Sequence, residues 1–162
     1  MSMDHDDEIK SLVKRVGDAV DDRVVACAES LTSGQIATAL GAGESSSEWF
    51  RGGVVAYQRE TKYRVLGVTP GPVVSESAAA EMARGVAEAT GADLAVAVTG
   101  VGGPDEQDGQ PVGTVFIGIF GPNGERVEHY RFEGEPVEIV RATVVQALLL
   151  LAETIEADAR AV

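Results

Sequence analysis

The stretch Arg23-Val24-Val25-Ala26-Cys27-Ala28-Glu29-Ser30-Leu31-Thr32-Ser33-Gly34 decides how this chain folds. Residues 23–28 form a short apolar run without polar alternation, as expected of a strand buried on both faces. The run passes directly into a hydroxyl-rich turn at 29–34 and then into 35–40, which reads as a helix. A buried strand that feeds a helix is the opening move of an α/β unit.

Upstream, Ile9, Leu12, Val13, Val16 and Val20 lay an apolar stripe at helical spacing over 8–20. Residues 1–7 are polar and acidic and predict a flexible tail ahead of a single domain over 8–160. Downstream, 41–47 reads as a loop and 52–57 as a second strand. A short helix over 60–66 is ended by Gly67, and Pro70-Gly71-Pro72 breaks the chain. Ser75 is placed to cap a helix over 78–90, with Glu76 and Glu81 near its positive end and Gly91 to stop it. The continuous apolar run 94–98 predicts another doubly covered strand. A Gly-rich loop follows at 99–111. Strands over 112–120 and 126–132 flank the hairpin turn Gly121-Pro122-Asn123-Gly124, and Pro136 opens a final helix that reaches 158. Early alternation and a late hairpin predict one three-layer α/β/α domain with a mixed sheet.

The 162 residues suffice for one domain with a core, and 44% apolar with 24% charged residues is ordinary globular composition. No apolar run reaches the roughly 18 residues of a membrane helix. The N-terminus lacks a secretory pattern, so a soluble, cytoplasmic protein without membrane association is expected. The net charge of −13 disfavours nucleic-acid binding, and no Lys/Arg cluster offsets it. Three lysines (Lys10, Lys14, Lys62) stand against ten arginines. Such an acidic, lysine-poor surface suits a halophilic source, where salt screens self-repulsion. The expected result is an unfolding midpoint that rises between low and molar salt; a flat or falling midpoint points instead to an ordinary acidic protein. Cys27 is the only cysteine and sits in an apolar run, so neither a disulfide nor a thiolate metal cage is expected. His5 and His129 have no ligating neighbours in sequence, and no metal or cofactor is expected.

Chemistry is expected at three strand ends, where open α/β sheets gather ligands. In 29–34, side-chain hydroxyls lie beside helix-start amides able to hold an oxyanion or phosphate. Ser30 is a candidate nucleophile there. On spacing alone, a helix cap at Ser30, Thr32 or Ser33 is the commoner use of such residues. In Tyr57-Gln58-Arg59-Glu60-Thr61-Lys62, the lysine is a candidate base if burial or a nearby cation lowers its proton affinity. Tyr57 at the strand end offers a hydroxyl to relay a proton or orient the lysine. A solvated lysine and a half-buried tyrosine fit the same pattern. In Thr99-Gly100-Val101-Gly102-Gly103-Pro104, glycines let backbone amides approach a ligand closely. The spacing matches neither a dinucleotide fingerprint nor a P-loop, and a tight connection between strands fits equally. Asp105, Glu106 and Asp108 read as a cation site or, more in keeping with the overall charge, as a solvated acidic loop.

Together the segments AESLTSG (28–34), VVAYQRETKYRVLGV (54–68), VSESAAAEMARG (74–85), AVAVTGVGGP (95–104), PVGTV (111–115) and FEGEPVEIVR (132–141) resemble, in order and content, the C-terminal domain of the CinA family of competence/damage-inducible proteins. That domain also occurs alone as nicotinamide-nucleotide amidase. The resemblance implies an enzyme that hydrolyses the carboxamide of nicotinamide mononucleotide, with Ser30 as nucleophile, Lys62 as base and Tyr57 in support; a homo-oligomer is expected because small α/β enzymes commonly form one. It implies substrate contacts from Glu29, Thr32, Ser33, Gly34, Thr99, Gly100, Gly102 and Gly103, with Arg141 toward the phosphate. Three positions depart from the family pattern, which usually has Cys at Leu31, Gly at Ser33 and often Arg at Pro136. Ser33 is accordingly expected to hold an ordinary backbone conformation. No segment resembles the molybdopterin-binding-like half of full-length members, and its pyrophosphatase activity is not carried over.

Overall fold

The computed structural model describes residues 2–160. Five strands make one mixed sheet: β1 (Val25–Glu29), β2 (Phe50–Val55), β3 (Leu94–Gly100), β4 (Thr114–Gly121) and β5 (Gly124–Arg131), in the order β2-β1-β3-β4-β5. β1 runs parallel to both β2 and β3, while β3–β4 and β4–β5 are antiparallel. The helices are α1 (Ser2–Ala19), α2 (Gln35–Gly41), α3 (Ser46–Trp49), α4 (Arg59–Leu66), α5 (Glu76–Thr90) and α6 (Pro136–Arg160).

The central strands read as apolar runs because both of their faces are covered. On β1 and β3, Val25, Cys27, Leu94, Val96 and Val98 point to one side, where they pack with α1, α2 and α6. Ala26, Ala28, Ala95 and Ala97 point to the other, against α5 and Leu66 of α4. The small side chains there let α5 lie close to the sheet. A Cβ at Gly118 of β4 would run into the Ala79 carbonyl of that helix, so only glycine fits.

Several local expectations hold. Gly67 and Gly91 end α4 and α5 in the left-handed region at φ 71° and 72°. Ser75 caps α5 by accepting the Ala78 amide at 3.2 Å. Others need correction. The segment 2–7, expected as a flexible tail, is the first part of α1 and carries His5 with it; Met1 lies outside the described residues. The loop expected at 41–47 is confined to 42–45 and gives way at Ser46 to α3, whose Trp49 is buried against α1 and anchored by its indole donating to the Glu44 carbonyl at 3.1 Å. Among the described residues no helix is long and apolar enough to cross a membrane.

The strand order has a consequence for function. From β1 the chain leaves toward β2, and from β3 it leaves toward β4, on the opposite side. The carboxyl ends of β1 and β3 therefore flank a crevice, the usual ligand position in open α/β sheets.

Candidate active site

Ser30 follows the last residue of β1. Glu29 stands in register with Val55 of β2, and the Ala56 amide donates to the Glu29 carbonyl at 2.8 Å. Continued one step, that register sets Ser30 beside Ala56, so Ser30 and Tyr57 leave the ends of neighbouring strands one residue out of step. The chain then turns sharply. The Ser33 amide donates to the Ser30 carbonyl at 3.1 Å and the Gln35 amide to the Thr32 carbonyl at 3.0 Å. Ser33 has φ 51° and Gly34 φ 102°. Ser33 thus takes the left-handed conformation rather than the ordinary one expected, at about 1 kcal/mol of strain, because two consecutive positive-φ residues are what swing the strand into α2.

None of Ser30, Thr32 and Ser33 caps α2. The N-cap is Gly34, with no side-chain bond. Glu29 does the capping from the strand end. Its carboxylate accepts the Ile36 amide at 2.9 Å, the Ala37 amide at 2.8 Å and the Thr32 hydroxyl at 2.6 Å, with the Cys27 sulfur 3.9 Å away. Glu29 and Thr32 are fully buried and turned inward, so the substrate contacts expected of them are corrected to structural support. Burial, with Glu29 beside it, pushes the Cys27 thiol up and leaves it an inert packing group. Nothing in the spacing of Glu29 announced this role, since its partners lie seven and eight residues on. Glu29→Ala should lower stability by about 3 kcal/mol, because two amides and a hydroxyl lose their acceptor. Urea unfolding measures it, and an unchanged midpoint combined with lost substrate affinity would restore the ligand role.

Two consequences follow for the turn. The Ile36 and Ala37 amides are consumed, so the helix start itself offers less to an anion than expected. The Leu31, Thr32 and Gly34 amides, in contrast, donate to no protein group among the described residues. The Ser30 hydroxyl is likewise uncommitted. Ser30 is only 6% exposed, yet no buried polar atom is sealed without a partner, so its oxygen faces the open side of the turn.

Lys62 lies in α4, 1% exposed. Its ammonium makes one hydrogen bond, to the Tyr57 carbonyl at 2.9 Å. Burial, followed by the nearby Arg59 guanidinium, lowers its pKa from 10.5 to about 8, against a smaller opposing pull from Asp108. The solvated-lysine reading is therefore excluded, and the ammonium sits at the main chain just past β2, the strand next to the one that leads into Ser30. Tyr57 is 66% exposed and its side chain makes no hydrogen bond among the described residues; its main-chain carbonyl, rather than its hydroxyl, holds the lysine.

The Gly-rich loop divides in two. Thr99 is buried, its hydroxyl donating to the Val73 carbonyl at 2.6 Å, and Gly100 lies against Thr114 and Val115 inside the sheet. These two hold the loop instead of lining it. Gly102 borders the turn, its missing Cβ falling 3.8 Å from Leu31 Cβ. Gly103, at φ 88°, borders the start of α6, 3.7 Å from Pro136 Cγ on the same measure. Arg141 is half-buried in the second turn of α6, with no ion pair or hydrogen bond among the described residues. Asp108 is not part of a solvated acidic loop: its carboxylate accepts the Val73 and Val74 amides at 2.8 and 3.1 Å and pairs with Arg59 at 2.8 Å. Among the described residues no three His, Cys, Asp or Glu side chains gather to hold a metal ion. His129 instead stacks on Phe116, ring centres 4.4 Å apart. A groove of ≈ 860 Å³ between α1, α2 and α3 includes Trp49 but none of these site residues.

Comparison with known proteins identifies the family and the fold. The family described as the CinA C-terminal domain matches residues 9–155. A CinA-like protein of Geobacter sulfurreducens is 43% identical over 130 residues, 76% of this chain and 32% of the relative. The chain spans about a third of the length of such curated relatives. A shorter relative from Enterobacter agglomerans, named nicotinamide-nucleotide amidohydrolase PncC, is 45% identical over 106 residues, 62% of this chain and 65% of its own. Among solved structures, a CinA superfamily protein from Klebsiella pneumoniae superposes with a TM-score of 0.86 at 32% identity, covering 91% of this chain and 97% of its own.

Proposed function

The chain belongs to the CinA C-terminal domain family, and on that premise we propose that it is an amidohydrolase that converts nicotinamide mononucleotide to nicotinic acid mononucleotide and ammonia through Ser30 and Lys62. The observation that carries this reading is a buried Lys62 ammonium, bonded once to the Tyr57 carbonyl just past β2, with the uncommitted Ser30 hydroxyl just past the adjacent β1. A buried lysine whose pKa is lowered toward neutrality is poised to accept a proton.

Neutral Lys62 takes the Ser30 proton as Oγ bonds to the carboxamide carbon. The Leu31 and Thr32 amides face the oxyanion that forms. As the tetrahedral intermediate collapses, the C–N bond breaks and the Lys62 ammonium returns its proton to the leaving nitrogen, which departs as ammonia. Water then gives a proton to Lys62 and attacks the ester, releasing the carboxylic acid and restoring the Ser30 hydroxyl. Gly102, Gly103 and Arg141 are assigned to the nucleotide end of the substrate.

A second reading is a nucleotide-binding module of the same fold without the chemistry. Pro136, at the position where the family often carries arginine, and the strained Ser33 favour it. Ammonia measured after incubation with nicotinamide mononucleotide, nicotinamide and NAD, at low and high salt, separates the two. The amidase reading expects release from the mononucleotide above the other amides. Retention of the nucleotide without ammonia under every condition selects the binding module.

A further inference from the structure

The 101–113 loop has a defined shape. Its base is closed by the Val101 amide donating to the Thr114 carbonyl at 2.9 Å and the Gly113 amide to the Val101 carbonyl at 2.8 Å. Its far end is a two-residue hairpin turn. Gln107 and Gln110 bond to each other's main chain, and Asp108 and Gly109 at the tip have φ 52° and 73°. This tip does not project into solvent. One Asp108 oxygen accepts the Val73 and Val74 amides, and the other takes the Arg59 guanidinium.

The 70–74 segment is stitched from the other side as well. The Tyr63 hydroxyl donates to the Gly71 carbonyl at 2.7 Å, and the Thr99 hydroxyl donates to the Val73 carbonyl. Asp108 thus joins three pieces: the Gly-rich loop, the linker between α4 and α5, and α4 itself, the helix that carries Lys62. Arg59 stands one helical turn before Lys62 on α4 and is ion-paired with Asp108 at 2.8 Å, so the two charges bear on Lys62 from its own helix and from the loop, while the strand end presents the Tyr57 carbonyl. They act in opposite senses, the guanidinium against a second positive charge and the carboxylate for it.

We propose that Asp108 is a positioning residue for the Lys62 base, acting with Arg59 through charge while its carboxylate docks the Gly-rich loop onto α4. The inference rests on Lys62 as the base of the proposed reaction. The loop and the base are thereby one unit: the docked tip supplies the negative charge that tempers Arg59.

Asp108→Asn deletes the charge but keeps an acceptor oxygen for the two amides, and asparagine tolerates the left-handed backbone. Arg59→Gln deletes the opposing charge. Lys62 can be followed directly, because ¹³C-labelled lysine gives signals from only three residues, Lys10, Lys14 and Lys62, and the Lys62→Met variant assigns the third. The Lys62 titration midpoint should fall by about half to one pH unit in Asp108→Asn and rise by a similar amount in Arg59→Gln. The acid limb of kcat for ammonia release should move with it in each variant. A merely structural latch would lower turnover in both variants and leave the midpoint where it was, and that result overturns the proposal. Opposite movements of the midpoint in proteins that release no ammonia uphold the charge coupling and remove the amidase reading instead.

Discussion

Replacing Ser30 with alanine should slow ammonia release from nicotinamide mononucleotide by roughly a thousand- to a million-fold, the range seen when a serine nucleophile is removed. The same substitution should leave stability within about 0.5 kcal/mol of the parent. The two halves of this expectation have separate grounds. The first follows from the proposed covalent step, which has no substitute for Oγ: an alanine turn still presents the Leu31, Thr32 and Gly34 amides, but nothing to bond to the carboxamide carbon. The second follows from the geometry. The Ser30 hydroxyl has no protein partner among the described residues, and the cap of α2 is supplied by Glu29. A capping serine would cost about 1 kcal/mol on replacement by alanine. Steady-state ammonia release, a urea unfolding curve and nucleotide affinity on the same preparation decide the matter. Release close to the parent rate sinks the nucleophile assignment. A loss of activity accompanied by a fall of 1 kcal/mol or more in stability would mean that Ser30 is part of the scaffold.

How much of this was legible beforehand divides along physical lines. Features encoded by local period and local backbone chemistry were readable. The apolar run at 94–98 is a doubly covered strand, Ser75 is a cap, Gly67 and Gly91 are left-handed stops, and Gly121 to Gly124 closes a hairpin. Features that depend on where a side chain points after the chain has turned were not. Glu29 looks like a polar residue in a catalytic motif, yet the reversal through Ser33 and Gly34 brings the amides of 36 and 37 over its carboxylate. Tyr57 has the type expected of a proton relay, but it follows an edge strand and its ring is exposed, so it is its carbonyl that holds Lys62. Asp108 read as one more surface acid because its partners, Arg59, Val73 and Val74, lie 34 to 49 residues away. Lys62 was found because the chain has so few bases, and its burial then follows from facing inward on an eight-residue helix that packs on α5.

Lys62→Met should produce a protein that is nearly inactive and, at neutral pH, more stable than its parent. The base contributes through its neutral form, and a positioned general base is worth roughly a hundred- to ten-thousand-fold in rate. In the parent, release should therefore climb with pH through a midpoint near the Lys62 pKa of about 8, and this limb should vanish in the methionine variant. Stability moves the other way. The folded-state value of about 8 lies below the ordinary 10.5, so folding disfavours the charged form. Below pH 8 the lysine is protonated in both the folded and the unfolded chain, and the full penalty of burying the ammonium applies, about 3 kcal/mol from the separation of the two values. Between 8 and 10.5 the folded chain releases the proton first, the unfolded chain holds more protons, and stability rises with pH until the penalty is gone. Methionine fills much the same space without the charge, but it abandons the Tyr57 carbonyl, which lowers the net gain at pH 7 to about 1–3 kcal/mol. The variant's advantage at pH 7 should accordingly shrink as pH rises through 8 and be gone, or slightly reversed by the lost Tyr57 contact, near pH 10.5. A variant less stable than the parent at pH 7 would show that the Lys62 bond to Tyr57 outweighs its burial, and a variant that keeps the parent's rate would remove Lys62 from the reaction. An inactive variant with increased stability marks a side chain retained at the expense of the fold, which is what a base held in a dry site for proton transfer predicts.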